Sequence, residues 1–225
     1  MKFLCVKVGD KYSTDTVNKL FNNLNENYSG EIDLYCLTDN QHGFISNITP
    51  LPIQDEWKKL QWHKTTFFQN RYNGFDNGEE VIVCDIDIEI IKNIDDLVEY
   101  NFETFVGSHR WWHTSDGGKL SGSLYKFRIG ELSKVYDEFN PEWQEHWVKN
   151  KLVEPPVNGE QNYVEMMVGS SLELFPFQWF TKWTTDEERN NRILNDFGKL
   201  TGEILKIENE WHEDLKVIHY AGFGK

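Results

Sequence analysis

The sequence predicts an α/β protein in which helices flank a mostly parallel central sheet. Two observations support this fold class. Short runs that are almost continuously apolar, such as VIVC at 81–84, are typical of strands buried on both faces. Stretches with helical periodicity lie between these runs, as expected when helices connect parallel strands. The sequence has no internal repeat and no linker-like segment, so we expect a single domain over residues 1–225.

The first part of the chain alternates strands and helices. Residues 2–8 form an apolar strand, and Ser13 or Thr14 caps a helix whose apolar residues recur at i, i+3, i+4 and i+7. The elements that follow are predicted as a strand at 32–39, a short strand near 50–53, a helix at 61–72 and a strand at 80–84.

The second part is predicted to have a less regular order. Its elements are strands at 102–108 and 120–128, a helix at 130–139, an irregular stretch at 141–158, a helix opening at 159–168, helices at 184–200 and 201–211, and a closing strand at 215–222. Thr185 and Glu188 form a capping box at the start of the helix over 184–200, and Gly198 is its expected C-cap.

Composition excludes several classes of protein. The chain has 37 acidic and 23 basic residues and a formal net charge of −14, which argues against a duplex nucleic-acid binder, since such a binder needs a basic surface. No apolar run is long enough to span a membrane, and no signal-peptide pattern is present. Cys5, Cys36 and Cys84 each lie in an apolar run, so we expect buried free thiols in a cytoplasmic protein.

Two carboxylates follow the strand at 80–84. Asp85 and Asp87 are separated by one residue, so an extended backbone places both side chains on the same side. In parallel sheets, ligands bind beyond the carboxyl ends of the strands. Two ionised carboxylates in such a place repel each other, and a divalent cation between them would remove that repulsion. The alternative is that both residues only cap a turn.

The end of the chain offers a partner for this pair. His219, Gly222 and Lys225 have the spacing His-x-x-Gly-x-x-Lys, directly after an apolar strand. The imidazole could complete a metal site, the glycine would let the backbone approach a phosphate, and the lysine would supply positive charge.

Together these motifs resemble those of the GT-A (Rossmann-like) glycosyltransferases, which use nucleotide sugars and a metal. The likeness is strongest to the retaining family 8 group, which includes glycogenin and bacterial lipopolysaccharide galactosyltransferases, and extends to small transferases of bacteria and phages. It implies transfer from a UDP-sugar to an unknown acceptor with retention. The implied ligands of Mn²⁺, with Mg²⁺ as the alternative ion, are Asp85, Asp87 and His219. It also implies a nucleotide-binding half over 1–100 and a half for the sugar and acceptor over 101–225.

The same resemblance implies contacts to the donor. CVKVGDKY is similar to the loop that holds the nucleoside, WHKTTFF to the helix with a donor-binding lysine, and KLSGSLYKF to the strand beside the sugar. The implied donor contacts are Val8, Tyr12, Asp39, Lys64, Asp85, Ile86, Ser121, Gly222 and Lys225.

Three residues are candidates for the chemistry. Glu160 and Gln161 match the Asp-Gln pair of the family, with Glu in place of the usual Asp, and Asp116 lies in the polar loop 113–119. They would position sugar hydroxyls or stabilise an oxocarbenium-like carbon. The alternative for Glu160 is an exposed acid in the first turn of a helix.

Two other functions stay open at this point. A sugar-nucleotide hydrolase or nucleotidyltransferase would use the same metal and diphosphate. A carbohydrate-binding module would use exposed indole rings, for which the candidates are Trp111, Trp112, Trp179 and Trp183, with core packing as the alternative for each. The expected partners are a UDP-sugar and a glycan, lipid-linked or protein acceptor, without nucleic acid or an integral membrane segment.

Overall fold

A computed structural model of the chain shows a central sheet with helical segments packed on both of its faces. The structure describes residues 1–110, 118–150, 159–182, 192–194, 200–204, 206–207, 210–211 and 213–220.

The described strands form one large sheet and three small ones. In chain order they are β1 (Lys2–Lys7), β2 (Asp33–Thr38), β3 (Ile48–Leu51), β4 (Glu80–Cys84), β5 (Ile88–Ile90), β6 (Phe105–His109), β7 (Leu120–Arg128), β8 (Leu172–Leu174), β9 (Phe180–Lys182), β10 (Arg192–Leu194), β11 (Leu200–Ile204), β12 (Lys206–Ile207), β13 (Glu210–Trp211) and β14 (Val217–His219).

The central sheet has seven strands in the order β3-β2-β1-β4-β7-β6-β8. The pairs β3/β2, β2/β1, β1/β4 and β6/β8 are parallel, whereas β7 runs antiparallel to both of its neighbours. The predicted α/β class with a mostly parallel sheet is therefore confirmed.

The described α-helices are α1 (Thr14–Asn27), α2 (Asp95–Val98), α3 (Lys134–Asp137), α4 (Trp143–Lys149) and α5 (Glu160–Val168). Four 3₁₀ segments accompany them, at Leu60–Phe68, Tyr72–Gly74, Gly169–Ser171 and Phe177–Trp179. Among the described helices, none has the length and apolar character that crossing a membrane requires.

The core has two halves, one on each face of the central sheet. Alternate residues of a strand face opposite sides, so Phe3 and Cys5 pack towards α1 while Leu4 packs towards Trp62 and Phe67. All three cysteines are buried and free, as predicted. Cys5 and Cys36 are opposite each other on β1 and β2.

A three-stranded sheet in the order β5-β14-β9 lies beside the carboxyl end of β4. β14 pairs antiparallel with β5, which follows the acidic pair directly, and parallel with β9. The predicted closing strand thus exists, although it is shorter than predicted. This pairing connects the end of the chain to the segment after Asp87.

Two helical segments differ from the predicted ones, and a local interaction explains the first difference. The helix predicted at 61–72 is a 3₁₀ segment over Leu60–Phe68, in which the Thr65 hydroxyl donates to the Trp62 carbonyl at 2.8 Å. Such bonds, together with β-branched and aromatic neighbours, disfavour regular α-helix. The helix predicted at 130–139 is reduced to the single turn of α3.

The prediction of an irregular stretch at 141–158 was wrong over α4. The Asn140 side chain accepts a hydrogen bond from the Glu142 amide at 3.0 Å, in the turn that leads into the helix. The Trp143 amide donates to the Asn140 carbonyl at 3.1 Å, so Pro141 is the second residue of this turn, a position that proline favours. Residues 151–158 lie outside the described residues.

The prediction of helices at 184–200 and 201–211 was also wrong for the residues that the structure describes. Arg192–Leu194 pairs antiparallel with Leu200–Ile204, and Lys206–Ile207 pairs with Glu210–Trp211. Helix propensity is a weak preference that strand pairing overrides. The capping box at Thr185 and Glu188 lies outside the described residues.

Candidate active site

The acidic pair lies in the gap between the central sheet and the small sheet. The Asp85 amide donates to the Ser123 carbonyl of β7 at 2.8 Å, which extends the backbone ladder one residue beyond β4. Ile86 is buried in the core cluster that contains α1, and β5 begins directly after Asp87. Because Ile86 is anchored inside, the carboxylates on either side of it are held at the sheet edge.

Strand pairing brings His219 to this edge. His219 is opposite Ile88 in the β14/β5 register, one residue from Asp87. Its Nε2 atom lies 3.6 Å from Asp85 Oδ2 and 3.4 Å from Asp87 Oδ1. The sequence prediction had placed these residues together from motifs alone, and the structure brings them into one cluster.

These three side chains fit a divalent cation. One ligand atom from each lies within 4.8 Å of the other two. Neighbouring ligand atoms around an octahedral ion at about 2.1 Å are roughly 3 Å apart. The distances of 3.6 and 3.4 Å from His219 Nε2 to the two carboxylates are close to that spacing. The His219 Nδ1 atom is buried and has no hydrogen-bond partner among the described residues. The donor set of two carboxylates and one imidazole therefore suits a divalent metal ion.

Lys64 lies behind the acidic pair, inside the protein. Its ammonium group is 2.6 Å from Asp85 Oδ1 and 3.6 Å from Glu160 Oε2, and it donates to the Gly122 carbonyl at 2.8 Å. Burial lowers the pKa of Lys64, but the carboxylates of Asp85 and Glu160 outweigh that effect and raise the pKa above its usual range. The side chain is 3% exposed and carries a fixed positive charge.

Glu160 begins α5 and is buried with Lys64. Gly159, with φ +75°, turns the chain into this helix. Only 4% of Glu160 is exposed, so the alternative of an exposed first-turn acid does not hold. Burial raises the pKa of Glu160 to about 7, although Lys64 opposes the shift. Its Oε1 atom has no hydrogen-bond partner among the described residues. Glu160 can therefore change protonation state near neutral pH.

Gly122 is a site residue that the sequence reasoning missed. Its amide donates to Gln161 Oε1 at 3.0 Å, and its carbonyl accepts from Lys64. A Cβ atom at this position would lie 2.9 Å from Glu160 Oε2 and 3.3 Å from Lys64 Nζ. A glycine within a strand is the available signal, since it often marks a close approach to backbone.

Replacing Glu160 with glutamine is expected to flatten the pH dependence of stability. The folded pKa of about 7 lies above the reference value of 4.5, so the folded state holds the proton more tightly. This stabilisation is complete below pH 4.5 and is lost as pH rises through 7. It amounts to on the order of 3 kcal/mol in full, of which about 2 kcal/mol is lost between pH 5.5 and pH 8. Urea unfolding in EDTA at pH 5.5 and pH 8 measures the difference.

Glu131→Gln is the matched control, because Glu131 is an exposed glutamate. The control should keep the wild-type loss of unfolding free energy between the two pH values. An equal loss in wild type and Glu160→Gln would contradict the assigned environment of Glu160.

The loop after β1 lies beside this cluster. The Gly9 amide donates to Asp39 Oδ2 at 2.8 Å, and Lys7 Nζ is 3.6 Å from the other oxygen of the same carboxylate. Gly9 has φ +77°, a conformation that favours glycine. The loop and the Asp39 carboxylate that it binds therefore lie at the same end of the sheet. This end holds three of the predicted donor contacts, Val8, Tyr12 and Asp39.

A cavity of about 640 Å³ adjoins the acidic pair on the side of α1. Tyr12, Ile86 and Asp87, all residues singled out by the sequence, contribute to its wall together with polar residues of α1. This volume lies in the range of small-molecule sites in proteins. The space next to the carboxylates can accept a ligand of that size.

The other predicted residues have varied positions. Ser121 is fully buried, and its hydroxyl donates to Ser123 Oγ at 2.9 Å. Trp179 packs edge-on against Tyr100, which agrees with the core-packing alternative. The remaining candidates lie outside the described residues: Asp116, Gly222, Lys225, Trp111, Trp112 and Trp183.

Comparison with known proteins assigns the fold. No protein-family model matches the chain, and no curated protein matches its sequence. Solved structures of glycosyltransferases match 80 to 100% of this chain. The chain has the GT-A fold of this class, as the sequence motifs predicted.

Two of these structures illustrate the similarity. The galactosyltransferase LgtC, in complex with donor and acceptor sugar analogues, gives a TM-score of 0.62 at 10% identity and covers 100% of this chain and 88% of LgtC. The glycosyltransferase GlyE of Streptococcus pneumoniae TIGR4 gives 0.57 at 10% identity and covers 80% of this chain but 46% of GlyE. At these identities the similarity establishes the fold and not the activity.

Proposed function

We propose that this protein is a metal-dependent glycosyltransferase that moves a sugar from a UDP-sugar to an acceptor hydroxyl with retention of configuration. The observation that carries the proposal is the convergence of Asp85, Asp87 and His219 at one sheet edge, next to Lys64 and Glu160. The shared fold supports it, because LgtC is a galactosyltransferase that was crystallised with donor and acceptor analogues.

The three ligating side chains would hold Mn²⁺, with Mg²⁺ as the alternative ion. When bound, such an ion supplies positive charge to the departing diphosphate. Asp85 and Asp87 would contribute oxygen ligands, and His219 would contribute Nε2. Their convergence requires both the β4 terminus and the β14 pairing, so the site depends on the whole fold.

Lys64 would give the anionic donor a favourable field in a strongly acidic protein. The chain has a net charge of −14, which repels a diphosphate at long range. A buried ammonium group acts at short range in a medium that screens it weakly. Its bonds to Asp85 and the Gly122 carbonyl hold this charge in one place.

Glu160 and Gln161 would act on the transferred sugar. The backbone amide of Gly122 donates to Oε1 of the Gln161 side chain at 3.0 Å, which fixes the orientation of the Gln161 side-chain amide. Glu160, with a pKa of about 7, can donate a hydrogen bond to a sugar hydroxyl when protonated or stabilise an oxocarbenium-like carbon when ionised.

A donor panel in a thermal-shift assay tests the proposal. UDP-glucose, UDP-galactose and UDP-N-acetylglucosamine are compared with GDP-mannose and ADP-glucose, each with Mn²⁺ or with EDTA. At about 100 times its Kd, a ligand that binds only the folded state adds roughly 2.7 kcal/mol of stability, or several degrees in Tm. We expect at least one UDP-sugar to raise Tm with Mn²⁺ and not with EDTA.

The same panel can contradict the proposal. Equal shifts in EDTA, or no shift with any UDP-sugar, would remove the metal and donor assignments. A donor that binds is then incubated with and without glycan acceptors. Release of free sugar at the same rate in both would indicate the hydrolase alternative instead of transfer.

A further inference from the structure

The hydroxyl of Tyr12 makes a direct contact with the cation site. Tyr12 lies between β1 and α1, and its hydroxyl donates to Asp87 Oδ2 at 2.7 Å. The other oxygen, Oδ1, is the one that lies 3.4 Å from His219 Nε2. Oδ2 of Asp87 thus accepts from a protein donor, whereas Oδ1 lies on the side of His219, where the cation would bind.

Neighbouring groups hold the Tyr12 ring in place. Its phenol is the donor of this hydrogen bond, because a carboxylate oxygen only accepts. The Lys11 ammonium lies 4.7 Å from the centre of the ring, and α1 begins two residues later. The ring is therefore held between the loop and the acidic pair.

We propose that Tyr12 is a positioning residue for the metal site. By binding Oδ2, its hydroxyl fixes the side-chain orientation of Asp87 and turns Oδ1 towards the cation. The inference rests on the proposed function and goes beyond the family resemblance, which implied only a contact between Tyr12 and the nucleoside. Outer-sphere partners of this kind typically change metal affinity by about 10- to 100-fold.

One residue would then serve two parts of the donor. The ring of Tyr12 borders the cavity in which a nucleoside can lie, and its hydroxyl holds a ligand of the cation. The two roles are separable, because phenylalanine keeps the ring and removes only the hydroxyl. If Tyr12 only supported the fold, the loss of its hydroxyl would affect the binding of the metal and of the nucleotide alike.

Tyr12→Phe is compared with wild type by titrating Mn²⁺ and measuring free Mn²⁺ by electron paramagnetic resonance. We expect the Kd for Mn²⁺ to rise at least about tenfold. The affinity for UDP in EDTA should stay unchanged, since the ring remains. Melting in EDTA confirms that the variant folds.

Tyr220→Phe is the matched control. The Tyr220 hydroxyl donates to Glu89 Oε2 at 2.6 Å and borders the same cavity, but its carboxylate partner is outside the ligand set. This variant should bind Mn²⁺ as wild type does. If both variants weaken Mn²⁺ binding equally, the effect is not one of positioning Asp87 and the inference is wrong.

Two further outcomes separate this inference from the proposed function. If wild type binds Mn²⁺ and Tyr12→Phe binds it with the same Kd, the positioning role is wrong while the metal site stands. If wild type itself does not bind Mn²⁺, the proposed function fails and the inference fails with it.

Discussion

Replacing Asp87 with asparagine is expected to abolish sugar transfer while leaving the protein folded. Asparagine keeps the size of the side chain and an oxygen that can accept the Tyr12 hydroxyl, but it loses the charge that a divalent cation needs. A metal ion that stabilises the leaving diphosphate contributes several kcal/mol. Because about 1.4 kcal/mol corresponds to a tenfold change in rate, we expect the release of UDP to slow by a thousandfold or more.

The same substitution should not destabilise the protein when no metal is present. Asp85 and Asp87 are like charges at one sheet edge, and removing one of them relieves repulsion. We therefore expect the Tm in EDTA to equal or exceed that of wild type, and the stabilising shift with Mn²⁺ to disappear. Loss of function with unchanged or greater stability is typical of a residue selected for binding instead of folding.

Asp33→Asn controls for the loss of one negative charge. Asp33 is exposed at the start of β2, the end of the strand opposite to the site. It should release UDP at the wild-type rate. Turnover by Asp87→Asn at a comparable rate in Mn²⁺ would refute the role of the acidic pair.

The central strands and the acidic pair could be predicted from the sequence because their signals are local. A buried strand needs an apolar run, and a carboxylate directly after it lies at the sheet edge whatever the rest of the chain does. Val81 to Cys84, followed by Asp85, carry both signals within a few residues. His219 was placed with them by a family motif, and the β14/β5 register explains the geometry.

The environment of the charged residues could not be predicted in this way. Lys64 and Glu160 are 96 positions apart, and their burial together depends on how α5 packs against β7 and the 3₁₀ segment. The sequence therefore left an exposed acid as an equal alternative for Glu160. The strands β10 to β13 were missed for a related reason. Local periodicity predicted helices there, but the conformation depends on pairing between separate backbone segments.

Replacing Lys64 with methionine is expected to change stability and ligand binding in different ways. Methionine keeps an unbranched side chain of similar length, but it leaves Asp85 and Glu160 without their cation and the Gly122 carbonyl without its donor. Removing one partner of a buried ion pair costs about 3–5 kcal/mol. Asp85 is partly exposed and Glu160 can take up a proton, so we expect about 3 kcal/mol at pH 8 and less at pH 6 in urea unfolding.

Binding gives the more specific result. Lys64 Nζ lies 2.6 Å from Asp85 and repels a second cation there, so Mn²⁺ alone should bind the variant as tightly as wild type or more tightly. The UDP-sugar should bind at least about tenfold more weakly, because a buried positive charge near the diphosphate is lost. Calorimetric titrations with Mn²⁺, and then with the UDP-sugar at saturating Mn²⁺, measure both effects.

Lys126→Met separates these effects from the general cost of losing a buried lysine. Lys126 lies on β7, is 2% exposed, and bonds to Glu80 at 2.8 Å and to the Val98 carbonyl at 2.6 Å. We expect a comparable loss of unfolding free energy with unchanged affinity for both ligands. If Lys64→Met weakens UDP-sugar binding no more than Lys126→Met does, Lys64 only supports the fold and the positive charge beside the diphosphate must come from elsewhere.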